Sequence, residues 1–145
     1  MSIWFKKYTL TDIAPMAKAD NVLNLLGLVF TEIGPDYLKA TLPVDARTHQ
    51  PYGVLHGGST CVLAETLGSV SSIMVVDPEK NHAVGSVITA NHLRSVTSGL
   101  VTGTCKPVHL GRTKHVWDIL VENDQGKPVA KCELTCAVID KQEKS

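Results

Sequence analysis

Residues 57–76 contain no lysine, no arginine and one acidic residue, Glu65, while apolar side chains recur through them at helical spacing. At 100° per residue Val62, Leu63, Leu67, Val70, Ile73 and Met74 fall on one broad face, with Glu65, Gly68, Ser69 and Ser72 opposite. A helix at a protein surface normally carries Lys, Glu and Arg on its outer side. One whose outer side is glycine and serine is built to be covered on both faces, and small residues let a sheet or a second subunit come close. Asp77 and Pro78 end the pattern. The fold must therefore wrap most of this helix. Glu65 and the small polar groups argue against a bilayer span.

The flanking sequence supplies the wrapping as strands. Residues 28–33 and 37–42 read as a strand pair around Gly34-Pro35-Asp36. Residues 82–96, 100–110, 113–122 and 128–139 are rich in Val, Ile, Thr and Leu with a period of two. Asn123-Asp124-Gln125-Gly126 separates the last two as a hairpin turn would. Ahead of the first strand, Ile13, Met16, Ala17, Val22, Leu23, Leu25 and Leu26 predict a short helix within 10–27, capped by Thr11 or Asp12, with Pro15 in its first turn. A strand pair, one long buried helix and four long antiparallel strands give an α+β class, a curved sheet on one helix. No repeat or linker divides the 145 residues, so a single domain over 1–145 is expected.

Charge removes two classes of partner. Lys plus Arg and Asp plus Glu both number 14, a net charge of zero that offers no footprint for nucleic acid or an anionic membrane. Cys61, Cys105, Cys132 and Cys136 form no C-x-x-C pair, and the six histidines (49, 56, 82, 92, 109 and 115) have no metal-ligand spacing. Neither a metal nor a cofactor is expected. There is no G-x-S-x-G elbow, phosphate-binding loop or dinucleotide fingerprint either. Lys6, Lys7, Thr9, Asp12 and Pro15 interrupt the first twenty residues, so they hold no apolar signal core, and a cytoplasmic protein with reduced thiols is expected.

Two features carry chemistry. Burying an unpaired carboxylate costs several kcal/mol, so Glu65 is exposed, partnered from elsewhere, or kept for a purpose. His56-Gly57-Gly58-Ser59 opens the helix, where free amide hydrogens favour negative charge and glycines admit a ligand to the backbone. The Gly57 amide suits an oxyanion; the structural alternative is a turn with Ser59 as N-cap. Eight residues separate Gly57 from Glu65, roughly 12 Å of helix rise, which fits antiparallel helices in a dimer better than one protomer. Gln50 lies in the preceding loop, where an amide suits a carbonyl, and Ser69 is one turn beyond Glu65. His92 and Arg94 share a strand face toward an anionic ligand, and Gly111-Arg112 at a strand turn suits phosphate; a solvated rim is the alternative for both. Cys61 at the helix start has no histidine partner in the pattern and reads as a packed thiol.

The run Gln50-Pro51-Tyr52-Gly53-Val54-Leu55-His56-Gly57-Gly58, followed by Leu63-Ala64-Glu65-Thr66-Leu67-Gly68-Ser69, resembles the hotdog-fold acyl-CoA thioesterases. It is most similar to the branch of the Arthrobacter-type 4-hydroxybenzoyl-CoA thioesterase and the enterobacterial aryl- and acyl-CoA hydrolases. Asn91-His92-Leu93-Arg94-Ser95 and Gly111-Arg112 through Val116-Trp117 look like that branch's later strands, and the likeness spans roughly residues 12–140. It implies a helix wrapped by six antiparallel strands, paired into dimers and assembled into a homotetramer. It also implies Glu65 as nucleophile or general base, and the Gly57 amide of the opposite subunit as oxyanion donor. Gln50 and His56 would polarise the thioester, Ser69 would assist Glu65 or the water, and His92, Arg94, Gly111 and Arg112 would meet the acyl and CoA ends. The implied substrates are aromatic (hydroxybenzoyl- or dihydroxynaphthoyl-type) or medium-chain acyl-CoA, with an acyl or aryl carrier protein as another bearer of the thioester. The alternatives are a non-catalytic acyl-CoA or acyl-carrier-protein binding module and a dehydratase of the same fold, whose histidine arrangement is not seen.

Overall fold

Chain order runs through α1 (Leu10–Ile13), a 3-10 turn (Ala14–Ala17), α2 (Val22–Leu26), β1 (Val29–Ile33), β2 (Leu38–Pro43), α3 (Gly57–Val75), β3 (Asn81–His92), β4 (Leu100–Leu110), β5 (Lys114–Glu122) and β6 (Pro128–Asp140). The computed structural model describes residues 1–142. All six strands pair antiparallel in one sheet, ordered β1-β2-β4-β5-β6-β3. The sheet curls round α3, which touches β2, β4, β5, β6 and β3.

The period-two alternation decides the inner face. Leu38, Ala40 and Leu42 of β2, Val101 and Cys105 of β4, Trp117, Ile119 and Val121 of β5, and Ala130, Cys132, Leu134 and Cys136 of β6 are buried. Helix and sheet approach closely where glycine allows it. A Cβ on Gly68 would meet Leu134 Cδ2 at 2.4 Å, and one on Gly103 would meet Leu67 Cδ1 at 2.6 Å. By length and a mean hydropathy of 1.2, α3 has the make-up to cross a bilayer, yet 50% of that stretch is buried inside the protein.

The helix's facing differs from the periodicity reading. Gly68 and Ser72, read as outward, are buried; Val62 is half-buried and Ile73 exposed, on the same stripe as Glu65 and Ser69. The cause is the sheet's closeness. It admits Gly68 where a larger residue would collide, and it offers partners to inward hydroxyls. Ser72 Oγ accepts the Trp117 indole N–H at 2.6 Å and lies 3.0 Å from His115 Nδ1. Ser71 Oγ lies 3.6 Å from Cys105 Sγ.

The N-terminal helix expected within 10–27 is broken into pieces. Thr9, rather than Thr11 or Asp12, caps α1, and its amide donates to the Asp12 carboxylate at 2.7 Å. Pro15 opens the 3-10 turn instead. Asn21 caps α2 by accepting the Leu23 and Asn24 amides, and Gly27, at φ 78°, closes it. Ahead of these, Trp4 donates its indole N–H to Gly34 O at 2.7 Å and stacks on Trp117 at 6.4 Å, closing one end of the core.

Candidate active site

The loop into α3 is a small hairpin dictated by its turn residues. The Gly53 amide donates to Gln50 O at 3.0 Å and the Gln50 amide to Val54 O at 2.8 Å, with His49 paired to Leu55. Pro51 fits the second turn position and Gly53 takes φ 79°, a left-handed conformation that favours glycine. Gln50 Oε1 accepts the Tyr52 amide, which leaves the carboxamide N–H groups as donors. Below the turn, Thr48 is buried and donates its hydroxyl to Pro43 O at 2.7 Å, while its own carbonyl accepts the His56 amide at 2.8 Å.

His56, not Ser59, caps α3. Its Nδ1 accepts the Gly58 amide at 2.7 Å, so the neutral ring carries its proton on Nε2. The Ser59 and Thr60 amides both donate to His56 O. Among the described residues none accepts from the Gly57 amide. Gly57 lines a cavity of about 330 Å³ together with Gln50, Thr60, His92, Arg94 and Leu55. The His92 ring stands over it, with Nε2 2.9 Å from where a Gly57 Cβ would be. Arg94 is anchored at the rim by donating Nη1–H to Pro128 O at 2.9 Å. The helix end adds roughly half a positive charge, so the cavity can accommodate an oxygen that gains negative charge.

Glu65 is elsewhere. Two turns further along α3, about 12 Å by helix rise, it is exposed on the outer stripe and rests on Gly85 of β3. Ser69 Oγ converges on the same glycine. The structure thus gathers Gln50, His56, Gly57, His92 and Arg94 in one place and Glu65 with Ser69 in another. Gly111 and Arg112 join neither within one chain. Gly111 turns between β4 and β5, its amide donating to Lys114 O at 2.8 Å, and Arg112 lines a separate cavity of about 520 Å³ with Lys80, Asn81 and Asp140.

Cys61, half-buried one turn before Glu65, has its thiol pushed up by burial and then by the Glu65 charge, so it packs rather than attacks. Among the described residues no cluster of His, Cys, Asp or Glu fits a metal ion. Sequence reasoning passed over Thr60 and Gly85. A single glycine inside a β-branched run, as in Ala83-Val84-Gly85-Ser86-Val87-Ile88, is a signal for a bulge or a close approach.

Comparison with known proteins identifies the family. Residues 52–130 match the thioesterase superfamily. A 1,4-dihydroxy-2-naphthoyl-CoA hydrolase of Escherichia coli is 43% identical over 137 residues, covering 94% of this chain and 99% of its own. The proofreading thioesterase EntH of Cronobacter sakazakii is 40% identical over 137 residues, covering 94% and 98%. The crystal structure of a mutant thioesterase from Pseudomonas aeruginosa superposes with a TM-score of 0.93 at 44% identity, covering 96% of this chain and 99% of that one. With its six-stranded sheet curled round one helix, the chain belongs to the thioesterase superfamily and is a hotdog-fold thioester hydrolase.

Proposed function

We propose that the chain hydrolyses acyl-CoA thioesters to the free acid and CoA, and that each active site is shared by two protomers. The observation that carries this reading is that Gly57, whose amide has no acceptor among the described residues, lines the Gln50–His92 cavity about 12 Å along α3 from a carboxylate resting on β3. Neither half acts alone on one carbonyl. Antiparallel pairing of two α3 helices about a two-fold axis brings the Gly57 amide of one protomer over the Glu65 of the other. The edge strand β3 supports such pairing, since it is long and exposes Val84 and Val87. Two such dimers form a tetramer in this reading.

The thioester oxygen then accepts from Gly57 N–H, with Gln50 and His92 beside it. Glu65 either attacks the carbonyl carbon or takes a proton from water as the water attacks, and Ser69 orients the attacking group. Collapse of the tetrahedral intermediate breaks the C–S bond. With water as the attacking group, the thiolate of CoA leaves and takes the proton that Glu65 drew from that water. With Glu65 as the attacking group, the thiolate leaves an acyl-Glu65 anhydride, which a water then opens, supplying oxygen to the acid and a proton to the thiol. His56 fixes the amide by capping the helix. Arg94, with Gly111 and Arg112 supplied from another protomer, meets the phosphates of CoA. The E. coli relative's name supports an aromatic acyl group of the hydroxybenzoyl or dihydroxynaphthoyl type, with medium-chain acyl groups as the other range. An acyl or aryl carrier protein is the other bearer of the thioester to be tried. Cytoplasmic residence belongs to the same proposal, because CoA thioesters and reduced thiols share that compartment.

The test is thiol release, followed with a chromogenic disulfide reagent over aryl- and fatty acyl-CoA substrates. Glu65→Gln is expected to melt like the wild type and to lose on the order of 10²–10⁴ in kcat. Unchanged kcat in that variant overturns the assignment. Binding without thiol release in the wild type across the panel replaces it with an acyl-CoA-binding module.

A further inference from the structure

The Glu65 carboxylate lies on bare backbone. A Cβ built on Gly85 would stand 2.7 Å from Glu65 Oε1, 3.4 Å from its Cγ and 3.3 Å from Ser69 Oγ. The first distance is shorter than side-chain carbons tolerate, so any residue but glycine at 85 moves the carboxylate. Backbone conformation does not ask for glycine here, because Gly85 is not among the glycines with positive φ. The requirement is for space.

The strand itself bends at this point. Gly85 pairs with Cys136 and Val87 with Thr135, leaving Ser86 as the extra residue of a bulge, its hydroxyl donating to Thr135 O at 3.1 Å. Before the bulge Ala83 and Gly85 face inward; after it Ile88 and Ala90 do, while Ser86 and Val87 are both exposed. A regular strand would have turned Val87 toward α3. The bulge and the missing side chain therefore act together: β3 passes beneath the carboxylate without covering it. The other close glycines of this interface, Gly68 and Gly103, meet leucine methyls and serve packing.

We infer that Gly85 is a positioning residue for the hydrolysis: it sets where the Glu65 carboxylate rests and keeps its attacking face open. The inference rests on Glu65 being the acting carboxylate and adds what holds that carboxylate in place. A misplacement near 1 Å at a reacting group costs about 10²-fold, so the substitution is read in kcat rather than KM.

The experiment is a double-mutant cycle in steady-state thiol release, with Glu65→Gln run beside it. Gly85→Ala is expected to lower kcat by roughly 10- to 100-fold with little change in KM. Glu65→Asp withdraws the carboxylate from the added methyl, so it should cost less in the Gly85→Ala background than in the wild type. If Gly85→Ala does not fold, Gly85→Ala with Glu65→Ala is expected to fold, because the collision is with Glu65. Near-wild-type kcat in Gly85→Ala, equal cost of Glu65→Asp in both backgrounds, or failure of both alanine proteins to fold overturns the inference. Full turnover in Glu65→Gln removes the reading beneath it as well. An inactive Glu65→Gln beside an active Gly85→Ala removes the inference alone.

Discussion

His115 is 3% exposed and Ser72 fully buried, yet neither has a fully buried side-chain polar atom without a partner among the described residues. The Ser72 hydroxyl accepts the Trp117 N–H and gives its own proton toward His115 Nδ1, which places the histidine proton on Nε2. Burial first, then the nearby His109, pushes His115 below its usual 6.5. The unfolded chain therefore binds more protons than the folded one between the lowered value and 6.5. This part of the stability is complete above pH 6.5 and falls as the pH drops toward the folded value. Urea unfolding across that range should show wild-type stability falling more steeply than that of His115→Asn, whose Oδ1 takes the place of Nδ1. Equal slopes would mean that His115 does not titrate differently on unfolding. Little of this was legible in the sequence, because a hydroxyl's partner depends on which strand lies opposite. The donor half of the candidate site was legible, since Gln50, His56 and Gly57 are near one another in sequence and a turn followed by a helix start fixes them locally. Gly85 was not, because its meaning appears only when β3 is laid across α3.

At the scale of elements, α3 is fixed at its start by one imidazole. Asn, Asp and Ser are the strongest caps, and losing a cap costs about 0.5–2 kcal/mol. His56→Ala should therefore lower the unfolding free energy measured in urea by that order, and His56→Asn should recover it. Recovery of stability without recovery of kcat in His56→Asn would assign the ring a second task at the thioester. A fully stable His56→Ala would mean that the Gly58 bond does not hold the helix. The span of α3 and the four long strands were legible to within a few residues, because periodicity and turn residues mark where elements begin and end. The facing of α3 was not. Counting apolar residues puts Ile73 and Val62 inward, whereas the sheet selects Gly68, Ser71 and Ser72 for their size. The segment 10–27 failed for a related reason: Pro15 and the Asn21 cap each restart the chain, and local caps outweigh a weak apolar pattern.

At the scale of the whole molecule, the two halves of the site lie too far apart in one chain, and symmetry makes this testable. In the proposed two-fold dimer each site would take Glu65 from one protomer and the Gly57 amide from the other. Gly57→Pro removes the amide hydrogen at the first helical position, where proline suits the backbone, and its Cβ displaces the His92 ring of the same protomer, so the donor half of that protomer's site is lost as a unit. Glu65→Gln removes the carboxylate. Each variant alone has two defective sites per dimer. In a mixed dimer, one site combines both defects and the other pairs the intact Glu65 of one protomer with the intact Gly57 of its partner. Random exchange makes half the dimers mixed, each with one working site, so thiol release should return to roughly a quarter of the wild-type rate. If both groups instead came from the same chain, every site in the mixture would carry a defect and mixing would restore nothing. The same samples, sized by light scattering, should be dimers or larger. Val87→Lys places a charge on the exposed edge of β3, and it should shift the protein toward monomer and lose turnover in parallel. A fully active monomer would move the whole reaction back into a single chain.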